Sequence, residues 1–287
     1  MKRQLALWAE YLLIMVKPAY VMTGVILYLV LCWAITFLVD IRNFLGLREV
    51  LSIKENFVLG GEVAPLWFII FREAGPTEIL QWLALALTAL CSWFIFRQLQ
   101  ENKNIKQAAF WKLIFILAVL MFLEDAANIR HLINYIIFLA SDLDWSSVDG
   151  KQLRNVLELC YFAILGFIPA YAVIRYGRYI FHSLSTTIYL LTGCFFYGIA
   201  AACSGTRFLE DWYTRAGEKI YGVMQGLASG QMVEVATESL SMEFWLMDLL
   251  VEESLELLGA GALLSATLAY GNLVLNNQAK NRVTPLS

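Results

Sequence analysis

Six long apolar stretches dominate the pattern of hydrophobic and polar positions along the chain. A helix needs about 20 apolar residues to cross the hydrocarbon core of a membrane, which is about 30 Å thick. The sequence therefore predicts an all-α fold, a polytopic transmembrane helical bundle that forms a single integral membrane domain over residues 1–287. The six predicted spans are roughly Ala19–Val39, Ile79–Leu99, Phe110–Ala140, Val156–Tyr176, Leu184–Cys203 and Phe244–Leu275.

Polar and basic residues set the first 18 residues apart from the spans. Glu10 interrupts a short apolar run, and no small-residue cleavage site follows it, which argues against a signal peptide. Segment 1–18 is therefore predicted to be an interfacial amphipathic helix, with a membrane-embedded half-helix as the alternative. Its basic residues would lie among the lipid head groups: Lys2, Arg3 and Lys17.

Two segments between the spans, residues 40–78 and 204–243, are predicted to be outer loops. The first contains an apolar run that is too short to cross, bounded by Gly60–Gly61 and Gly75–Pro76. This pattern indicates a re-entrant segment or, preferably, one that lies on the membrane interface. The second loop mixes aromatic and polar residues and could cap the bundle.

The short loops predict the orientation of the chain. Lysine and arginine concentrate in loops that stay in the cytoplasm. Here they cluster between spans two and three, between spans four and five, and in the C-terminal tail. This bias places both termini in the cytoplasm and predicts a multi-pass protein of the cell inner membrane. The residues are Arg97, Lys103, Lys106, Lys112, Arg175, Arg178, Lys280 and Arg282.

The composition agrees with a membrane protein. Hydrophobic residues make up 60% of the chain and charged residues 16%, against about 25% charged residues in a soluble domain. The formal net charge of −3 does not favour a nucleic-acid partner. The expected partners are the lipid bilayer, a small lipidic or ionic substrate, and other membrane proteins. The five cysteines are scattered among apolar residues and indicate packing rather than disulfides or thiolate metal sites.

Two of the predicted spans contain ionisable residues. In the third span, Glu124, Asn128 and His131 fall on one stripe of a continuous helix, with Asp125 beside it. In the sixth span, three glutamates follow one another at helical spacing, with the first and last one turn apart. They are Glu252, Glu253 and Glu256.

The energetic cost of these acids predicts a site inside the bundle. An ionised carboxylate at mid-bilayer costs about 2.5–3.5 kcal/mol, so five unpaired acids would cost on the order of 12–18 kcal/mol. Arg130 can neutralise one acid by charge pairing and a protonated His131 another. A bound cation, protons or a water-filled cavity must resolve the remaining acid excess.

These arguments predict that the third and sixth spans pack together around one shared cation site, with Glu256 at its centre. The cofactor is unknown, and a divalent metal ion is possible. In the alternative, the sixth helix begins later and its glutamates lie near the outer surface, solvated or paired with loop arginines. The candidate metal ligands are Glu124, Asp125, His131, Glu252, Glu253 and Glu256.

The two polar motifs resemble those of a group of uncharacterised bacterial polytopic membrane proteins. That group carries a DEAxxIHE-type motif on one helix and EExxExxG on a late helix. This chain has EDAANIRH from Glu124 to His131 and EESLELLG from Glu252 to Gly259. The resemblance implies a polar site in a membrane bundle. This chain departs from the pattern at Arg130 and His131, where the group has His and then Glu, and arginine cannot ligate a metal.

Three functions fit these observations. The first is an intramembrane carboxylate and histidine site that binds a cation, as in a metal-dependent membrane enzyme. The second is a proton- or cation-coupled transporter, in which buried acids relay protons or hold an ion. The third is a non-catalytic subunit of a larger membrane complex, whose acids pair with basic groups of a partner.

Overall fold

The computed structural model describes residues 2–51, 53–55, 62–141, 147–207, 210–228 and 241–283. In these residues the chain is almost entirely helical, with one two-stranded antiparallel sheet that pairs Ile53 with Ala64 and Glu55 with Glu62. The elements are α1 (Lys2–Met15), α2 (Pro18–Thr36), α3 (Leu47–Val50), β1 (Ile53–Glu55), β2 (Glu62–Ala64), α4 (Leu66–Phe71), α5 (Pro76–Glu101), α6 (Ile105–Ala127), α7 (Ile129–Ser141), α8 (Val148–Tyr176), α9 (Leu184–Thr206), α10 (Glu210–Leu227), α11 (Met242–Trp245) and α12 (Glu253–Val283).

Six helical segments of the described chain are long and apolar enough to cross a membrane. The predicted fold class is confirmed, because each segment overlaps one predicted span. Two of the segments join neighbouring elements: α4 with α5, and α11 with α12 through a π-helical turn. The segments are Pro18–Ile41, Leu66–Glu101, Ile105–Ala127, Gln152–Tyr179, Leu184–Thr206 and Met242–Asn277.

The third span is shorter than the sequence predicts, and the predicted range Phe110–Ala140 is wrong. Asn128 adopts a left-handed backbone (φ 51°, ψ 41°) and ends α6 at Ala127, after which α7 begins at Ile129. Asparagine visits this conformation more readily than most residues, and one such residue is enough to stop a helix. The predicted stripe through Glu124, Asn128 and His131 therefore does not exist on one helix.

The contacts divide the chain into two compact units, where the sequence predicts a single domain. Unit 1 comprises Met1–Thr23, Gln81–Gly198 and Leu258–Ser287. In its core, Leu13 of α1 is fully buried and lies against Gly271 of α12. A Cβ atom at position 271 would clash with the side chain of Leu13, so a larger residue there would force this buried leucine to move. The N-terminal helix predicted from the sequence is thus part of the packed core of unit 1.

Unit 2 comprises Gly24–Leu80 and Ile199–Leu257. It contains two π-helical turns, Phe37–Ile41 after α2 and Leu246–Glu252 between α11 and α12. Asp40, in the first turn, accepts hydrogen bonds from the backbone N–H groups of Leu66 and Trp67 at 2.9 and 2.8 Å and so caps α4. The apolar run of the first predicted loop is this short helix. Its aromatic side chains are buried in unit 2: Trp67, Phe68 and Phe71.

Candidate functional site

In unit 1, Glu124 and Arg130 form a nearly buried ion pair across the break between α6 and α7. Arg130 Nε lies 3.0 Å from Glu124 Oε1, and the two side chains are only 12% and 10% exposed. The backbone N–H of Arg130 donates a 3.1 Å hydrogen bond to Glu124 Oε2. One carboxylate therefore neutralises the guanidinium and also accepts a hydrogen bond from a backbone N–H group in the first turn of α7. A negative charge is favourable at this end of a helix.

The neighbouring polar residues of unit 1 have partners of their own. Asp125 accepts a 2.6 Å hydrogen bond from Gln81 Nε2, and the guanidinium of Arg130 lies over the ring of Phe162, 5.1 Å from its centroid. His131 is exposed on α7. The described contacts thus pair Glu124 with an arginine and Asp125 with an amide, and they place His131 on an exposed position of α7.

In unit 2, four polar side chains form a connected network, which we call the Tyr213 network: Arg207, Tyr213, Asp248 and Glu252. Arg207 Nη1 donates to Asp248 Oδ1 at 2.8 Å. The Tyr213 hydroxyl lies 2.6 Å from Glu252 Oε1 and 3.4 Å from Asp248 Oδ1. Tyr213 is fully buried and Glu252 is 4% exposed. Two carboxylates thus contact one tyrosine and one guanidinium, with Tyr213 and Glu252 buried and Arg207 and Asp248 partly exposed (side chains 25% and 19% exposed).

Local backbone structure brings this network together. Asp248 and Glu252 both lie in the second π-helical turn, a wide turn that often occurs at functional sites. Helix α10 carries Tyr213 and packs directly on α11 at Gly217, where a Cβ atom would clash with the carbonyl oxygen of Glu243, so the close approach needs glycine. Arg207 follows α9, where it is held by Ser204, whose carbonyl oxygen and hydroxyl accept hydrogen bonds from Nε (3.2 Å) and Nη2 (2.8 Å).

Burial and the two neighbouring acids keep Tyr213 protonated. Its hydroxyl has lost contact with water, and Asp248 and Glu252 both oppose the formation of a phenolate, so the pKa of Tyr213 is raised well above its ordinary value. Tyrosine therefore stays a hydrogen-bond donor. Arg207 acts in the opposite direction, but its effect is smaller.

This pKa shift predicts a pH dependence of stability. Because the folded state favours the neutral hydroxyl, its contribution is fully present below the unfolded pKa of about 10 and is lost as the pH rises through the folded value. Above about pH 10, the melting temperature of the wild type should therefore fall more steeply than that of Tyr213→Phe. Tyr20→Phe, which removes an exposed hydroxyl, should behave like the wild type. Parallel pH profiles for all three proteins would contradict the assignment.

The three predicted glutamates differ in burial. Glu252 is the most buried of the three, whereas Glu253 and Glu256 are half-buried, and the central role of Glu256 stays a prediction. In the part of the chain that the structure describes, no group of three or more His, Cys, Asp and Glu side chains could hold a metal ion. The predicted ligands fall into two sets, each within its own unit, and the site shared between the third and sixth spans stays a prediction.

Three of the four members of the Tyr213 network were not candidates from the sequence: Arg207, Tyr213 and Asp248. Arg207 and Tyr213 lie in the segment predicted to be an outer loop, 41 and 35 residues before Asp248. The spacing of Asp248 could have indicated its place in the network, because it lies four residues before Glu252 on the same helical segment. The pairing of an acid of the sixth span with a loop arginine agrees with part of the alternative considered for that span.

Comparisons with known proteins found no relative of this chain. No protein-family model, no curated protein and no solved structure matches the chain.

Proposed function

We propose that this multi-pass membrane protein holds an exchangeable proton in the Tyr213 network and moves protons across the membrane, as a proton- or cation-coupled transporter. The observation that carries the proposal is the placement of one buried hydroxyl within 2.6 Å of Glu252 and 3.4 Å of Asp248. Intramembrane acids that meet in this way are typical of proton relays. The proton is the smallest cation that such a site can bind.

The charge balance of the network supports a proton. With both carboxylates ionised, the network has two negative charges and only Arg207 to neutralise them. A nearly buried net charge is costly, and one proton removes it without adding atoms. Glu252 can then hold the proton and still accept the hydrogen bond from Tyr213 at Oε1, while the ionised Asp248 keeps the guanidinium.

A divalent metal ion has weaker support at this position. Calcium and magnesium take six or more oxygen ligands, and here Arg207 already occupies Asp248 and repels cations. The hydrogen bond from Tyr213 occupies the second carboxylate. The metal-dependent enzyme predicted from the sequence would therefore need ligands beyond these residues.

Infrared spectroscopy tests whether the network holds a proton. The purified protein at neutral pH should show the carbonyl band of a protonated carboxyl group, which shifts in deuterated water. The band should disappear in Glu252→Gln, because glutamine preserves the shape of the side chain and cannot be ionised. Glu243→Gln makes the same change at a half-buried glutamate of α11 and should leave the band unchanged. A band that persists in both Glu252→Gln and Asp248→Asn would refute the proposal.

We further propose that the protein resides in the inner membrane with both termini in the cytoplasm. The distribution of lysine and arginine among the short loops supports this orientation. A reporter that is active only in the cytoplasm should be active when fused after Ser287 and inactive when inserted at Gly226, in α10. The opposite pair of activities would reverse the orientation.

A further inference from the structure

One tyrosine of unit 1 is contacted by two cations from different helical segments. Tyr179 ends the 3₁₀ turn Gly177–Tyr179 that follows α8. Lys106 Nζ lies 5.1 Å and Arg178 Cζ 4.7 Å from the centroid of its ring. Arg178 Nη2 donates to the Tyr179 hydroxyl at 2.5 Å, and Lys106 forms a second side-chain hydrogen bond with it. We call Lys106, Arg178 and Tyr179 the basic clamp.

The clamp is a built arrangement rather than two independent surface charges. Gln107 Nε2 donates a 3.2 Å hydrogen bond to the carbonyl oxygen of Tyr179, which fixes the start of α6 against the turn. Cation–π contacts at exposed sites contribute only about 0.5–1 kcal/mol each. The tyrosine hydroxyl adds a common acceptor that draws both cations to one point.

The clamp has an excess of positive charge. Among the described residues, neither Lys106 nor Arg178 forms an ion pair with a carboxylate. Both side chains are exposed, and Lys106 lies in the first turn of α6, where the helix dipole also favours an anion. Two like charges that share one ring repel each other, and an anion between them would remove that repulsion.

The position of the clamp indicates which anion it meets. Lys106 is the second residue of one membrane span, Ile105–Ala127, and Tyr179 is the last residue of another, Gln152–Tyr179. The ends of spans lie at the level of the lipid phosphates, and basic pockets between helices at this level recognise anionic head groups. We propose that the basic clamp binds the phosphate group of an anionic phospholipid. This inference is independent of the Tyr213 network.

Native mass spectrometry of delipidated protein in neutral detergent tests the clamp. The wild type should bind phosphatidylglycerol more tightly than phosphatidylcholine, whose choline group opposes the two cations. Lys106→Ala and Arg178→Ala should each weaken the binding of phosphatidylglycerol about fivefold, and the double variant more strongly. Lys219→Ala removes the same charge from α10, outside unit 1, and should change nothing.

Tyr179→Phe distinguishes binding that depends on the geometry of the clamp from general attraction of the lipid to two positive charges. It keeps both charges and the ring but removes the acceptor that draws the cations together, so the binding of phosphatidylglycerol should weaken severalfold. This variant also provides the test if the double variant fails to fold. An unchanged affinity in Tyr179→Phe, or in the folded double variant, would overturn the clamp. Inorganic phosphate that binds as tightly as the lipid would assign the site to a free anion and overturn the lipid proposal.

Discussion

Replacement of Arg130 by alanine should lower the free energy of unfolding by about 3–5 kcal/mol. The reason is that Glu124 would stay in place with its charge nearly buried and without its counter-ion. The two side chains are only 12% and 10% exposed, so water can replace little of what the guanidinium provides. The measurement is chemical or thermal unfolding of the purified protein in detergent.

The matched control is an arginine of the same unit in an exposed pair. Arg97 Nη2 lies 3.9 Å from Glu101 Oε1, with side chains 56% and 63% exposed, and Arg97→Ala should cost no more than about 0.5 kcal/mol. The double variant Glu124→Gln with Arg130→Met should be more stable than Arg130→Ala alone, because it leaves no buried charge and keeps an acceptor for the backbone N–H. Equal losses for Arg130→Ala and Arg97→Ala would show that the pair has no special role.

The membrane spans could be predicted because their signal is local and long. About 20 apolar residues in succession leave few alternatives to a crossing helix, and each predicted span has its counterpart in the structure. The prediction of the third span failed at one residue, Asn128, where the helix ends. Apolar runs flank the break on both sides, so the predicted span was extended across the polar stretch Glu124–His131 between them, and polar residues of this kind also occur inside continuous helices. Only the tendency of asparagine towards a left-handed backbone pointed to it.

The candidate site could be predicted only in part, because its partners are distant in sequence. The requirement that buried acids find a counter-charge pointed to both acid clusters, and Arg130 lies six residues from Glu124. Tyr213 lies 39 residues from Glu252, and no local pattern connects them. The π-helical turn that carries Asp248 and Glu252 depends on packing against α10 and α4, so the sequence of the turn alone does not specify it.

Replacement of Glu252 by glutamine should lower proton flux through the protein about 100-fold, the effect of removing one proton-transfer group. Glutamine still accepts the hydrogen bond from Tyr213, so the fold and the position of the hydroxyl should be preserved. The new side chain cannot take up and release a proton, and the network loses its exchangeable site. The measurement uses vesicles that contain the purified protein and a pH-sensitive dye, with a potassium diffusion potential to drive protons inward.

Glu243→Gln separates this effect from a general loss of negative charge. Glu243 lies nine residues earlier in the same span, Met242–Asn277, and does not belong to the Tyr213 network, so its variant should conduct protons like the wild type. Tyr213→Phe should reduce the flux less than Glu252→Gln, because it removes a donor that orients the proton and leaves the group that carries it. Wild-type vesicles no more permeable to protons than protein-free vesicles, or equal fluxes in the wild type and Glu252→Gln, would show that the network does not conduct. The buried proton would then serve only to balance charge within unit 2.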